Sequence, residues 1–296
     1  MNARGKSLDR TYLSIDQAED RGFIHRDYIA HCLRWSHVCK RLYERRAYEA
    51  AIILDVGCGR ELPMAKMLYS SRLIPRHYFG VDAGPIEDSE AAKLMNGKFP
   101  HTLWEKTNFL EIQPTDVRSD RGIDDHVYPN IVTCFEVLEH VEPRMCLFML
   151  RHMRTLTADD ARFFISTPCW NVTDCAANHV NEIRYEVLGS IFEREGFVVD
   201  HVYGTFASIR DYDYLLDRST AEMRPLIGNI FDRLREYYDS NFLSCVFAPL
   251  FPAQSRNCLW ELRKRGDEPQ KFKFPPLETC PEPWSSSDKW RDFNNI

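Results

Sequence analysis

In FEVLEHVEP, residues 135 to 143, Glu136, Glu139 and His140 stand three and four positions apart, which puts all three on one face if the segment is helical. A second histidine, His179, follows in ANHVNE. Two carboxylates and two imidazoles that converge could exchange a proton near neutral pH. They could also hold a divalent ion, since oxygen and nitrogen ligands suit magnesium, manganese or zinc.

A second constellation lies upstream. AIILDVGCGRELPMAK, residues 51 to 66, runs from apolar residues through Asp55 into a turn with Gly57 and Gly59, then into a proline-started helix. Such a turn at the carboxyl end of a strand can receive a nucleotide-like ligand. A dinucleotide needs G-x-G-x-x-G, but Leu62 stands where the third glycine belongs, and Asp55 places negative charge beside the pyrophosphate. A ligand carrying an ammonium and a sulfonium reverses that objection, because Asp55 would then attract the ammonium directly or through water. S-adenosylmethionine is such a ligand. Asp82, ending YFGVD twenty-seven positions later, is placed to accept hydrogen bonds from two ribose hydroxyls.

These residues need elements to hold them. Short apolar runs at 51–56, 78–82, 101–104, 130–135, 162–166 and 197–204 alternate with helical patterns near 62–71, 86–96, 143–156 and 182–195. That repetition predicts a parallel sheet covered by helices on both faces. Residues 14 to 49 contain no proline and repeat apolar residues at three and four residue steps, which predicts an amphipathic helix entering the first strand. The last helix should stop at Gly196. SRNCLWELRK, 255 to 264, reads as a further strand, and the proline-rich stretch after it as an extended or partly disordered tail.

Over residues 51 to 204 the chain resembles the class I S-adenosylmethionine-dependent methyltransferases, in the branch that includes ubiquinone-biosynthesis O-methyltransferases. LDVGCG is similar to their first motif, YFGVD to the acidic second-strand motif, TNFLEI to the third-strand segment, and NIVTCFEVLEHVEP with RFFISTPCW to those of strands four and five. The resemblance implies an α/β, Rossmann-like seven-stranded sheet, parallel with one antiparallel strand and flanked by helices. It further implies an N-terminal helical cap over 1–49, a methyltransferase domain over 50–265 whose segment 205–254 is a helical insertion or lid, and a tail over 266–296. The implied cofactor is S-adenosyl-L-methionine. Its implied contacts are Asp55, Gly57, Cys58, Gly59, Asp82, Ala83, Asn108, Phe109, Phe135 and Glu136. Arg34, on the entry helix with Tyr28 and His31 on neighbouring turns, is the expected partner of the methionine carboxylate. Arg60 and Glu61 depart from the family's small residues, and Asn108 replaces its usual aspartate while still accepting from an adenine amino group.

Glu139, His140 and His179 are the catalytic candidates. E-x-x-E-H with a later histidine also resembles the metal site of small-RNA 3′-terminal 2′-O-methyltransferases. The same pattern occurs widely in metal-free members, where it borders the cofactor and caps a helix, so no metal ligand is assigned. In STPCWNVTDCAANH, 166 to 179, TPCW superficially resembles nucleophile and amino-methyltransferase motifs that follow strand four. This loop follows strand five, so Cys169 is read as a wall residue. Trp170 and Asn171 stand as acceptor contacts and His179 as a base, with an ordinary polar loop as the alternative.

Composition limits the acceptor. The 296 residues carry a net charge of −6, with 44% hydrophobic and 28% charged residues, so no overall pull toward nucleic acid or anionic membrane exists. The expected acceptor is a small metabolite methylated at an O or N atom. The alternatives are a nucleic-acid methyltransferase, including metal-assisted RNA 2′-O-methylation, and a non-catalytic cofactor-binding subunit. For nucleic acid, Arg210, Arg218, Arg224, Arg233 and Arg235 would be the docking surface, but interspersed aspartates favour a solvated face. MNARGKSLDR has no apolar core, and NFLSCVFAPLF is too short to cross a bilayer. Ten scattered cysteines without a C-x-x-C pair read as free thiols, and the expected location is cytoplasmic, with no membrane partner.

Overall fold

The computed structural model describes residues 26–45, 48–86, 88–117, 128–173, 175–207, 229–230, 232–266 and 270–290. The part of the expected entry helix before residue 26, and the expectations for Arg210, Arg218 and Arg224, lie outside these residues.

Seven strands form one sheet in the order β3-β2-β1-β4-β5-β7-β6. They are β1 (Ile52–Val56), β2 (His77–Asp82), β3 (His101–Lys106), β4 (Ile131–Phe135), β5 (Arg162–Pro168), β6 (Phe197–Phe206) and β7 (Asn257–Lys264). The first five pair in parallel. β7 runs against β6, because Arg256 N–H donates to Phe206 O and Arg265 N–H to Gly196 O, each at 2.9 Å. All five residues of β1 are buried, as a central strand covered on both faces requires, whereas β3 at the sheet edge keeps part of every side chain in solvent. The expected seven-stranded sheet with one antiparallel strand is therefore present.

The helices follow their apolar spacing. In α1 (Arg26–Glu44), Ala30, Arg34, Val38 and Leu42 are buried at four-residue steps. Proline occupies the first turn of α2 (Pro63–Ser70) and of α4 (Pro143–Thr155), where its missing N–H costs nothing. The short α3 (Glu90–Met95) is capped by Ser89, whose hydroxyl accepts from Ala92 N–H at 3.0 Å. α5 (Tyr185–Arg194) ends before Gly196, whose φ of 82° is a left-handed C-terminal conformation.

Contacts divide the chain into two compact units, Met1–Arg34 with Val202–Leu259, and Trp35–His201 with Trp260–Ile296. In the first, α6 (Ser240–Val246) and 3₁₀ turns at Ala248–Leu250 and Pro252–Gln254 occupy the expected insertion, and Leu243 packs with Ala207, Phe247 and Phe251. In the second, Trp260 is buried among the rings of Tyr185, Phe192 and Phe274. The stretch expected as an extended tail contains neither a named strand nor an α-helix over 270–290, yet it buries Leu277, Cys280, Ser285 and Trp290. No helix among the described residues is long and apolar enough to cross a membrane. The ten cysteines form no disulfide with one another.

Candidate functional site

The strand order reverses between β1 and β4, and a crevice opens beyond the carboxyl ends of the strands at such a switch point. The glycine turn sits there, fastened to the end of β2. Gly57 and Cys58 N–H both donate to Val81 O at 2.8 and 3.1 Å, and Gly59 N–H donates to Asp82 Oδ2 at 2.9 Å. Asp82 Oδ1 accepts from Gly84 N–H at 2.7 Å, which locks the carboxylate's direction. Three consecutive amides that would cradle a pyrophosphate thus already have acceptors, and a carboxylate stands beside them. What the turn offers a ligand is the Asp82 carboxylate, an acceptor that fits ribose hydroxyls and opposes phosphate.

Gly57 must be glycine for two reasons: its φ is +70°, and a Cβ would lie 2.3 Å from Val137 Cγ2. Leu62, at the place of the missing third glycine, still adopts a left-handed conformation, φ 47° and ψ 51°. It is fully buried, so packing offsets the strain of a left-handed leucine, on the order of 1–2 kcal/mol. Glu61 pairs with Lys66 at 3.2 Å and Arg60 is exposed, so these two departures from the motif lie at the surface of the turn.

A cavity of about 520 Å³ opens beside the turn, within the range of small-molecule sites. Of the expected cofactor contacts, Gly57, Asp82, Ala83, Asn108 and Phe109 line it. Asn108 also caps a 3₁₀ turn, its Oδ1 accepting from Leu110 N–H at 3.2 Å. Sequence reading did not single out Val137, Val141 and Met149, which close the cavity's apolar side. The signal in the sequence is the four-residue step from Val137, inside E-x-x-E-H, to Val141, just after it.

Several expected contacts are placed otherwise. Asp55 is buried behind the turn, with Oδ1 accepting from Thr133 Oγ at 2.6 Å and Oδ2 from Tyr78 O–H. Desolvation pushes its pKa up to about 6, opposed by those two hydrogen bonds. Both carboxylate oxygens tie β1 to its neighbours β4 and β2, and Asp55 does not line the cavity. Cys58 is buried, and neither it nor Phe135 lines the cavity. Glu136 has φ +57°, and its Oε1 accepts from Ser166 Oγ at 2.8 Å. Arg34, 1% exposed, donates through Nη1 to Asn257 Oδ1 at 2.8 Å and meets His31 through Nη2. Its guanidinium thus has a protein acceptor within its own unit.

The expected common face of Glu136, Glu139 and His140 does not form, because the segment is not an α-helix. The chain is left-handed at Glu136 and makes a single 3₁₀ turn over Leu138–His140. Glu139, His140 and His179 do converge, with one ligand-type atom from each within 4.8 Å of the others, and Glu136 is not in that group. The two imidazole rings meet edge to face at 4.9 Å.

Their nitrogens are oriented from behind. His140 Nδ1 lies 3.0 Å from Asn178 O, and His179 Nδ1 lies 2.6 Å from Glu182 Oε1. A carbonyl and a carboxylate only accept, so both Nδ1 atoms carry protons when the rings are neutral, and both Nε2 atoms keep their lone pairs. Glu139, 1% exposed, accepts at Oε2 from Thr167 Oγ at 3.1 Å, and its carbonyl accepts from Val180 and Asn181 N–H. The arrangement can accept a proton or ligate a cation.

A family model described as a methyltransferase domain matches residues 29–202, more than half of the chain. The chain belongs to this methyltransferase-domain family. The resemblance to class I S-adenosylmethionine-dependent methyltransferases is thereby borne out. No curated protein matches the chain. Among solved structures it is similar to magnesium protoporphyrin IX methyltransferase from Synechocystis PCC 6803 with bound S-adenosylhomocysteine, at 12% identity over 85% of this chain and 88% of that one, TM-score 0.49. It is also similar to Burkholderia thailandensis 1,6-didemethyltoxoflavin-N1-methyltransferase, at 12% identity, 79% of each chain and TM-score 0.45. A third is the small RNA methyltransferase HEN1, at 16% identity over 81% of this chain and 27% of that one, TM-score 0.49.

In this methyltransferase the loop after β5 carries the remaining expectations. Cys169 is buried and bridges to Ile183, which agrees with a wall residue. Asn171 Oδ1 accepts from Thr173 N–H and Oγ at 3.2 and 2.9 Å, so this side chain shapes its own turn. Glu182, Ser286 and Trp290 were not foreseen. Glu182 N–H donates to Ser286 Oγ at 2.9 Å, and Trp290 Nε1 donates to Asn181 Oδ1 at 2.7 Å.

Proposed function

We propose that the methyltransferase acts on an O or N atom of a small metabolite, with His179 Nε2 taking the acceptor's proton. The observation that carries this reading is the convergence of Glu139, His140 and His179, with the Nδ1 of His179 held on Glu182. Asp82 would accept from the ribose hydroxyls and Asn108 Oδ1 from the adenine amino group. Phe109, Val137 and Val141 would exclude water from the cofactor. When bound, S-adenosylmethionine supplies a methyl group on a sulfonium, which is already a good leaving group. The chain's own contribution is alignment, and a base where the acceptor starts protonated. Glu182 would stabilise the imidazolium that forms on His179, as an orienting carboxylate does in other histidine bases.

The test is incubation of the protein and its His179→Ala variant with methyl-labelled S-adenosylmethionine and a desalted small-metabolite extract. Label entering a small product with the parent protein, and falling about 100-fold or more with the variant, supports the reading. Label entering only RNA added in parallel overturns it.

A second reading, metal-assisted methylation of RNA at a 2′-oxygen, has one specific observation in its favour. Glu139, His140 and His179 present an oxygen and two imidazole nitrogens in one cluster, and the histidines carry the outer hydrogen bonds that orient metal ligands. Metal bound stoichiometrically to the purified protein, with turnover lost on chelation and restored by the ion, selects this reading. Full turnover in chelator rejects it.

A further inference from the structure

A second cavity, of about 360 Å³, lies between the loop after β5 and the C-terminal segment, lined by Trp170, Glu282, Trp284, Asp288 and Trp290 together with the serines at 285–287. We infer that it is a binding subsite for an organic ammonium group, alkylated or protonated, carried by the methyl acceptor.

The chemistry of the lining selects the ligand. Two of the three indoles have already used their donors: Trp284 Nε1 donates to Cys280 O at 3.2 Å and Trp290 Nε1 to Asn181 Oδ1 at 2.7 Å. What Trp170 and Trp284, each part-exposed, offer the cavity is ring surface, whereas Trp290 is buried. The serine hydroxyls are engaged in the segment's own folding. Ser285 Oγ accepts from Ser287 N–H at 2.9 Å, Ser286 Oγ from Glu182 N–H at 2.9 Å, and Ser287 Oγ from Lys289 N–H at 3.4 Å. Glu282 and Asp288 remain as acceptors, and among the described residues no Lys, Arg or His lines the cavity. Lys289, their neighbour in sequence, is turned to Glu142 at 2.7 Å. Aromatic faces with two carboxylates attract a cation, and attract an alkylated ammonium in particular because its methyl groups pack against the rings. The same lining repels phosphate, and its two exposed carboxylates give a cation an attraction that a neutral isostere lacks.

The position suits an acceptor. Trp170 lies two residues beyond the end of β5, and its N–H donates to Ile183 O at 3.1 Å. Ile183 bridges to Ser285, Arg184 N–H donates to Trp284 O at 3.0 Å, and Ser286 N–H to Glu182 O at 2.9 Å. One short backbone run, 181–184, therefore hydrogen-bonds to the segment that lines this cavity and also carries Glu182, whose carboxylate holds His179. Assigning the ammonium to the methyl acceptor rests on the metabolite-methylation reading; the binding of the cation does not.

The experiment titrates choline and its neutral isostere 3,3-dimethyl-1-butanol into the cofactor-free protein at constant ionic strength, followed by tryptophan fluorescence. Saturable choline binding, with the isostere at least about tenfold weaker, is expected. Trp170→Ala and the Glu282→Gln/Asp288→Asn pair should each weaken choline about tenfold while far-UV circular dichroism stays unchanged. No saturable choline binding, or equal affinity for the isostere, overturns the subsite. Calorimetry with S-adenosylhomocysteine on the same sample separates the two claims: cofactor binding without choline binding removes only the subsite, and the reverse removes only the methyltransfer reading.

Discussion

His179 Nδ1 lies 2.6 Å from the carboxylate of Glu182, three residues further along the chain. That contact fixes which nitrogen of the ring is basic. Because the Glu182 backbone N–H is itself held by Ser286, the proposed base on the loop after β5 depends on a residue 104 positions from Glu182. Replacing Glu182 with Gln should lower kcat roughly 10–100-fold, the range expected for losing a group that orients a histidine. Steady-state kinetics checks this, and KM for the cofactor should stay close to that of the parent protein.

Gly57→Ala should destabilise the protein by about 1–3 kcal/mol and weaken the cofactor, since its Cβ falls 2.3 Å from Val137 Cγ2 in a backbone that disfavours it. Thermal unfolding reads the stability loss.

Asp55 predicts a pH dependence of stability. Its folded pKa, raised to about 6 mainly by desolvation, exceeds the ordinary 3.8, so the folded state holds the proton more tightly. The resulting stabilisation is complete below pH 4 and is lost as pH rises through about 6. Asp55→Asn removes that dependence. Between pH 4 and pH 7, denaturant unfolding should show the stability difference shifting in the variant's favour, by up to about 3 kcal/mol.

Glu261 has the opposite sign. Its buried carboxylate lies 2.9 Å from both Arg41 Nε and Arg45 Nη2. Burial alone would raise its pKa, but His37, whose Nε2 lies 3.7 Å away, and the two guanidiniums bring it down to about 2. Its stabilisation is therefore full above the ordinary 4.5 and lost as pH falls toward 2. Glu261→Gln should steepen nothing at neutral pH but flatten the acid limb of an unfolding titration, and should cost about 1–3 kcal/mol at pH 7.

The strands and the Asp82 carboxylate were legible because both follow from local pattern: apolar runs at regular spacing, and an acid closing the second run. Asp55 was not, because its partners come from register. Thr133 lies directly opposite it on β4, and Tyr78 sits one strand away on β2, pairings that no local window shows. At Leu62 the residue type hid the geometry, since the backbone is left-handed where a glycine was looked for. The helical face assumed for Glu136, Glu139 and His140 failed at one residue, the left-handed Glu136, while the meeting of Glu139, His140 and His179 survived. The C-terminal segment was invisible as structure because its contacts to 181–184 span about a hundred residues, and its own composition reads as loop.

The central claim is that the cavity beside Asp82 holds an adenosine whose ribose hydroxyls bond to that carboxylate. Calorimetric titration of S-adenosylhomocysteine tests it most directly, with the parent protein beside Asp82→Asn. One-to-one binding by the parent, weakened about 10–100-fold by the substitution, is the predicted result. No binding by the parent, or equal binding by both proteins, would contradict it.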